Sequence, residues 1–411
     1  MIDYKIILKF INLYFFRARI TLMQRINFST LRFPNTDART HIKLGGSKAG
    51  VYQALKSAWA QNLSLLEFLP DEPHFIGADD LADNGALENR ISKLSSSSHP
   101  LFVRGCVLPD GDYPGDFGGA VDVIDSKVVR SNDDIKAQIM KMLATIKEDD
   151  FVSHMNWDAG SKITPKIAFQ VVRHYNFPLL CSVIEHPSQY GIYILEASNA
   201  NRDATNQVIY DVNNNSNVIS VIGRITSLFF NERNSKKINT LMSAIKDSGI
   251  IPDGYTFQIE FGLDISGPGM KLFQVRLFRK KEERANFEIS EGLASDLYHS
   301  FGITDEEGIV LPCSHFSQDG VKRLIRKAEA GYVFSQRGMN YSSPPLDVTP
   351  NNMKFFGIQT IGGTFCHHGG YRGLLKADVA MSLSSRNRKI PSSGNNIKVR
   401  SNGVQCGIEM A

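Results

Sequence analysis

Apolar and polar residues alternate with period two over two short stretches. The first is Phe257-Gln258-Ile259-Glu260-Phe261, and the second is Leu272-Phe273-Gln274-Val275-Arg276-Leu277. Successive side chains of a strand point to opposite faces. Phe257, Ile259 and Phe261 therefore share an apolar face with Phe273, Val275 and Leu277. Gln258, Glu260, Gln274 and Arg276 share the polar face. Between the stretches, Asp264-Ile265-Ser266-Gly267-Pro268-Gly269 has the composition of a turn, so the two are expected to pair. Further strands are expected over residues 100–106, 179–184 and 191–195. Over residues 48–60, Val51, Ala54, Leu55, Ala58 and Trp59 fall on one face of a helix. The serine run 95–98 and the asparagine-rich segment 198–217 read as loops. The charged segment 279–290 reads as a linker or a solvated helix face.

A paired hairpin would project a carboxylate, an amide oxygen and a guanidinium from one surface. Two such oxygens suit a magnesium ion and the guanidinium suits a phosphate, which together describe a metal-bound nucleoside triphosphate. The alternative is the ordinary solvated side of a half-buried sheet. Two other segments carry phosphate chemistry. Gly45-Gly46-Ser47-Lys48-Ala49-Gly50 stands directly before the expected helix, where backbone N–H groups and Lys48 can face an anion. The competing reading is a flexible helix entry. Arg104 closes the strand at 100–106, and glycines follow at 105, 111, 115, 118 and 119, which favours close backbone approach. As a structural residue, Arg104 would be a surface ion-pair former.

These segments resemble the ATP-grasp domain of the phosphoenolpyruvate synthase and pyruvate phosphate dikinase family. Gln258-Ile259-Glu260-Phe261 is similar to the family's D-I-E-W strand, and Gln274-Val275-Arg276-Leu277 to its Q-A-R-P strand. The resemblance implies that Glu260 and Gln274 hold the metal on ATP and that Arg276 belongs to the same site. Gly45-Gly46-Ser47-Lys48 resembles the family's G-G-K loop, with one serine inserted, and implies a phosphate contact for Lys48. Val103-Arg104-Gly105-Cys106 resembles V-R-S-S, whose arginine grips the ATP phosphates. Residues 179–195 resemble the hinge along the adenine, with Glu185 where the family has glutamine.

A second constellation lies in the last third: Ile361-Gly362-Gly363-Thr364-Phe365-Cys366-His367-His368-Gly369-Gly370. A Gly-Gly pair before a histidine permits a tight turn that leaves the imidazole exposed, and histidine is an effective nucleophile near neutral pH. The run resembles the G-G-x-T-x-H-A-A segment of the swivelling phosphohistidine domain of the same enzymes, and His367 falls on the phosphorylated position. Two other readings stand beside it. One is a plain polar loop. The other is a zinc site joining Cys366, His367 and His368 to Cys313 and His315, although the spacing matches no standard zinc pattern.

Composition constrains less. With 411 residues, two or three domains are expected. A net charge of +4 without a dense basic stripe gives no support to nucleic-acid binding. Five scattered cysteines suit free thiols in a reducing compartment, so a cytoplasmic location is expected. Residues 2–22 are apolar but interrupted by Lys5, Lys9, Arg17 and Arg19, too broken for a membrane span. Met23 is the expected first residue, and a basic apolar helix lying on a membrane is the alternative.

The expected architecture is α/β (α+β). It comprises an N-terminal extension (1–39), an ATP-grasp domain (40–280), a linker (281–305) and a small swivelling phosphohistidine-like domain (306–411). The family's substrate barrel, which needs about 250 residues, is expected to be lacking. The expected function is phosphate transfer from Mg2+-ATP through His367 to an acceptor, either a small molecule or a partner protein, with Arg104 assisting catalysis. Alternatives are a degenerate ATP-binding sensor and an ATP-grasp ligase acting through an acyl-phosphate.

Overall fold

The computed structural model of the chain describes residues 48, 50–71, 73–76, 88–89, 91–92, 100–108, 127–129, 132–145, 166–186, 189–199, 205–214, 217–222, 230–264, 269–280, 297–312, 323, 331–335, 353–360, 377–384, 394–402 and 406–411. The fold is mixed α/β, and the described residues form three sheets. It divides into two compact units. The first runs to Asn176 and includes Asp247–Ile250. The second comprises Phe177–Lys246 and Ile251–Ala411. The expected domain 40–280 is thus split at Asn176.

The first unit opens on helix α1 (Val51–Ala58), followed by the short α2 (Leu63–Leu66). Val51, Tyr52, Ala54 and Leu55 are buried, as helical spacing requires, and Trp59 is buried just past the helix end. Ala58 departs from the expectation. It shares the apolar face by spacing but is exposed, because the chain turns away at residues 59–61. Strands β1 (His74–Ile76), β2 (Leu101–Leu108), β3 (Lys127–Val129) and β4 (Lys166–Arg173) form an antiparallel sheet in the order β1-β4-β2-β3. Helix α3 (Asn132–Thr145) lies against β2 and β3. Its Ile135, Ile139 and Met142 recur at helical spacing and are buried.

The second unit contains two sheets. The first joins β5 (Leu179–Glu185), β6 (Ile192–Asn199), β7 (Thr205–Asp211), β8 (Asn217–Ile222), β9 (Tyr255–Leu263) and β10 (Met270–Arg279) in the antiparallel order β10-β9-β5-β6-β7-β8. Helix α4 (Glu232–Asp247) covers its apolar face with Ile238, Leu241, Met242 and Ile245. The Tyr210 hydroxyl donates to Asn239 Oδ1 at 3.3 Å, which ties helix to sheet. Asn231 caps α4 by accepting the Asn234 N–H at 2.9 Å. The loop expected over 198–217 is corrected here, since all of β7, the end of β6 and the start of β8 fall within it. Val208 and Tyr210 alternate inward on β7, and the asparagines collect in the turn at 212–214.

The other sheet joins β11 (Leu297–Phe301), β12 (Ile303–Pro312), β13 (Gly331–Ser335), β14 (Met353–Thr360), β15 (Ala377–Ser384), β16 (Asn396–Asn402) and β17 (Cys406–Met410). Their order is β11-β15-β14-β13-β12-β16-β17, and β12, β13, β14 and β15 run parallel. Val310, Val333, Phe355, Val379, Ile397, Val399, Cys406 and Ile408 form its core. The sheet begins at Leu297, within the stretch 281–305 expected as linker. There Thr304 is buried and the strand pairs with β16 from Ile303 onward. Cys181 and Cys406 are buried thiols, and burial pushes both up, away from reactivity. Among the described residues no helix is long and apolar enough to cross a membrane. Residues 1–39, Cys313, His315, Cys366, His367 and His368 lie outside the described residues.

Candidate functional site

Strands β9 and β10 pair as expected, except that the register shift puts the buried Leu272 opposite Phe261, while Phe273 leaves the apolar face expected for it and meets Phe177. Glu260 stands opposite Gln274, and Gln258 opposite Arg276. A bulge between Leu272 and Gln274 shifts the register and brings both β10 polar side chains beside those of β9. On the other side of β9, Glu260 faces Ser182 of β5, and Ser182 in turn faces Glu196 of β6. One sheet surface therefore carries a polar row, Gln274–Glu260–Ser182–Glu196, beside the Arg276–Gln258 pair. It is the face opposite α4.

This row is not a solvated outer face. Gln258 is 2% exposed, Gln274 4% and Arg276 7%. Burying an amide or a guanidinium is costly unless each polar atom finds a partner. Arg276 Nη1 donates to Glu260 Oε1 at 2.5 Å and to Gln258 Oε1 at 3.2 Å. Gln258 Nε2 donates to Ser182 Oγ at 2.6 Å. The half-solvated-sheet alternative does not survive this burial.

The donor set fits a hard divalent cation. The Glu260 carboxylate is 26% exposed and already engages a cation, the Arg276 guanidinium. The Gln274 amide occupies the neighbouring cross-strand position on the same face. Among the described residues no group of three His, Cys, Asp or Glu could hold a metal by itself. An ion drawn here would take one carboxylate and one amide oxygen from the chain. The remaining positions would be filled by phosphate oxygens and water, the usual arrangement for Mg2+ with a nucleotide.

One end of the row is closed by packing. Gly262 lies two residues beyond Glu260, on the same face, and the Phe177 ring sits where a Cβ would project. Phe177 also meets Phe273, with ring centroids 6.0 Å apart. Gly262→Ala is expected to cost about 1–3 kcal/mol and displace the Phe177 ring. Thermal denaturation checks the first effect. A wild-type melting temperature would show that the ring moves aside freely.

In the first unit the structure brings Lys48 and Arg104 close together. Lys48 is buried and its Nζ donates to the carbonyl of Gly105, next to Arg104, at 2.5 Å. Arg104 lies 6.0 Å from the Phe102 ring. Opposite Arg104 on β4 stands Gln170, 4% exposed, whose Oε1 is buried with no hydrogen-bond partner among the described residues. A buried unpaired amide oxygen is expensive and marks a place where a ligand donor fits. Sequence reasoning missed Gln170. The available signal was a lone glutamine in the apolar run Phe169-Gln170-Val171-Val172.

Glu185 sits at the end of β5, where the hinge was expected. Its carboxylate is buried and its Oε1 accepts from Lys246 Nζ at 2.6 Å. Its carbonyl accepts from Thr256 Oγ1 at 3.2 Å. The Lys246 ammonium lies 4.7 Å from the Tyr190 ring and 5.3 Å from Tyr193. Burial pulls the Lys246 ammonium down, but its hydrogen bond to Glu185 and the nearby Tyr193 outweigh this, and its pKa is raised overall. The side chain of Glu185 thus has a partner in α4 that the sequence pattern did not reveal.

No protein-family model and no curated protein matches the chain. Among solved structures, the D-alanine-D-alanine ligase of Coxiella burnetii is similar over 56% of this chain, at 9% identity and a TM-score of 0.26. The match takes in 49% of that ligase, so the chain spans about half its length. N5-carboxyaminoimidazole synthase of Aspergillus clavatus, in complex with ADP and its ribonucleotide, is 11% identical over 58% of this chain and 45% of its own, with a TM-score of 0.29. ATP citrate lyase of Methanothrix soehngenii is 12% identical over 78% of this chain and 91% of its own, with a TM-score of 0.31.

Proposed function

We propose that this chain is a Mg2+-ATP-dependent enzyme that transfers a phosphoryl group. The carrying observation is one sheet face on which the buried Arg276 donates to Glu260 and to the buried Gln258, and the buried Gln274 stands opposite Glu260. Glu260 and Gln274 would hold the metal, whose charge offsets that of the phosphates, and Arg276 would bind a phosphate oxygen. The resemblance of their motifs supports phosphate-neutralising roles for Arg104 and Lys48. Positioning and electrostatics carry most of the rate in such chemistry.

The acceptor reading that needs only these residues is a carboxylate. Its oxygen attacks the γ-phosphorus, the bond to the bridging oxygen breaks, ADP leaves, and the acyl-phosphate is consumed by ligation. A second reading, phosphorylation of His367, draws support from topology. β14 is an inner strand of a four-strand parallel run, and the histidine segment follows its carboxyl end at Thr360. Segments leaving the carboxyl ends of parallel strands are the usual seats of chemistry in α/β sheets.

Incubation with Mg2+ and ATP labelled separately at the β- and γ-phosphates tests both. The expected result is Mg2+-dependent ATP binding and consumption. An acid-labile, base-stable label on the protein, lost in His367→Ala, selects the phosphohistidine. Turnover unchanged in His367→Ala selects the acyl-phosphate. A chain that neither binds nor consumes Mg2+-ATP overturns the proposal.

A further inference from the structure

Strands β2 and β4 of the first unit have two unlike faces. Val103 and Gly105 of β2 alternate with Arg104, and Phe169 and Val171 of β4 alternate with Gln170. Val103, Phe169 and Val171 are fully buried, so their face belongs to the core. Arg104 and Gln170 stand directly opposite each other on the other face. Gln170 is nonetheless 4% exposed, and its Oε1 has no hydrogen-bond partner among the described residues. A buried amide oxygen in that condition costs stability until a donor reaches it.

An amide oxygen only accepts, so it disfavours the oxygens of an ionised phosphate and suits an uncharged N–H or O–H group. Arg104 and the buried Lys48, whose Nζ donates to the carbonyl of Gly105, supply positive charge beside it. The three side chains thus describe a ligand with an anionic part and an uncharged donor. A nucleotide has both.

We propose that Gln170 Oε1 is a specificity-determining acceptor for an uncharged donor on the bound nucleotide, either a ribose hydroxyl or the amino group of the base. This rests on the metal-nucleotide reading above and assigns β4 a ligand contact.

Gln170→Met removes the oxygen and keeps the length of the side chain, and it should move two readouts in opposite directions. The ligand-free variant is expected to melt about 2–4 °C higher than the wild type, because the unpaired acceptor is gone. Its Kd for ATP is expected to rise about tenfold, the scale of one hydrogen bond. Calorimetry on the full chain with Mg2+ then compares ATP with 2′-deoxyATP, 3′-deoxyATP and purine riboside triphosphate, each lacking one donor. One of the three should bind the wild type about tenfold more weakly than ATP, yet bind Gln170→Met as well as ATP does. That analogue identifies the donor.

Equal binding of ATP and all three analogues by the wild type overturns the proposal. So does an analogue penalty that persists unchanged in Gln170→Met, or a variant that melts lower and keeps the wild-type Kd. Gln170→Leu takes the place of Gln170→Met where the latter does not fold. If the wild-type chain does not bind Mg2+-ATP, the nucleotide reading fails and this proposal with it. If it binds and the analogue penalties do not depend on Gln170, only the role of Gln170 fails.

Discussion

Glu260→Gln is expected to lower Mg2+-dependent ATP turnover by roughly 10²–10³-fold, the usual loss when one preorganised electrostatic group is removed from a reacting site. The substitution keeps the size of the side chain and an oxygen that can still accept from Arg276 Nη1. What it removes is the negative charge that draws the metal. Stability should fall by about 1–3 kcal/mol, because an ion pair becomes a hydrogen bond from the guanidinium to a neutral amide. Glu260→Ala should cost more, on the order of 3–5 kcal/mol, since it leaves the buried guanidinium without its carboxylate. A melting curve beside a turnover assay separates the two effects. If Glu260→Gln turns over ATP at the wild-type rate, this sheet face is not where the metal acts.

The β9–β10 hairpin was legible in the sequence because its pattern is local. Five residues alternate, a turn with two glycines follows, and five more alternate from Phe273 to Leu277, although the bulge turns Leu272 rather than Phe273 to the apolar face. Local alternation assigns faces but not cover. Nothing in residues 257–277 says that Gln258, Gln274 and Arg276 are buried, or that Ser182 and Glu196 complete the row across β5 and β6. Those facts belong to register between segments far apart in the chain. The same limit hid Gln170, whose meaning depends on standing opposite Arg104.

Composition misled at β7. Asparagine is common in turns, and the run 198–217 holds many, yet Val208 and Tyr210 were enough to make a strand beneath α4. Helix α1 was legible from its apolar spacing, except at Ala58, where the helix ends. The hydrogen bonds from Arg276 to Glu260 and Gln258 could not be read from the sequence, because they depend on side-chain geometry across the β9–β10 pair.

Lys246→Met is expected to destabilise the second unit by roughly 3 kcal/mol, near the lower limit for breaking a buried ion pair because the lysine is partly exposed. The physical loss falls on Glu185. Its carboxylate is buried at the end of β5, and Lys246 Nζ is its charged partner at 2.6 Å. Thr256 Oγ1, 3.4 Å from the other oxygen, is too distant to take over. Replacing both residues, as Glu185→Gln with Lys246→Met, should recover most of the loss, because no charge is then left buried. The pair also sets an alkaline limit. The Lys246 pKa is raised on folding, so its contribution is fully present below the ordinary lysine value and is lost as pH rises through the higher folded one. Wild-type stability should therefore fall more steeply above about pH 10.5 than that of the double variant. Denaturant titrations at neutral and alkaline pH measure both. A single variant as stable as the wild type would mean that water solvates Glu185 and that the contact contributes no more than a surface pair.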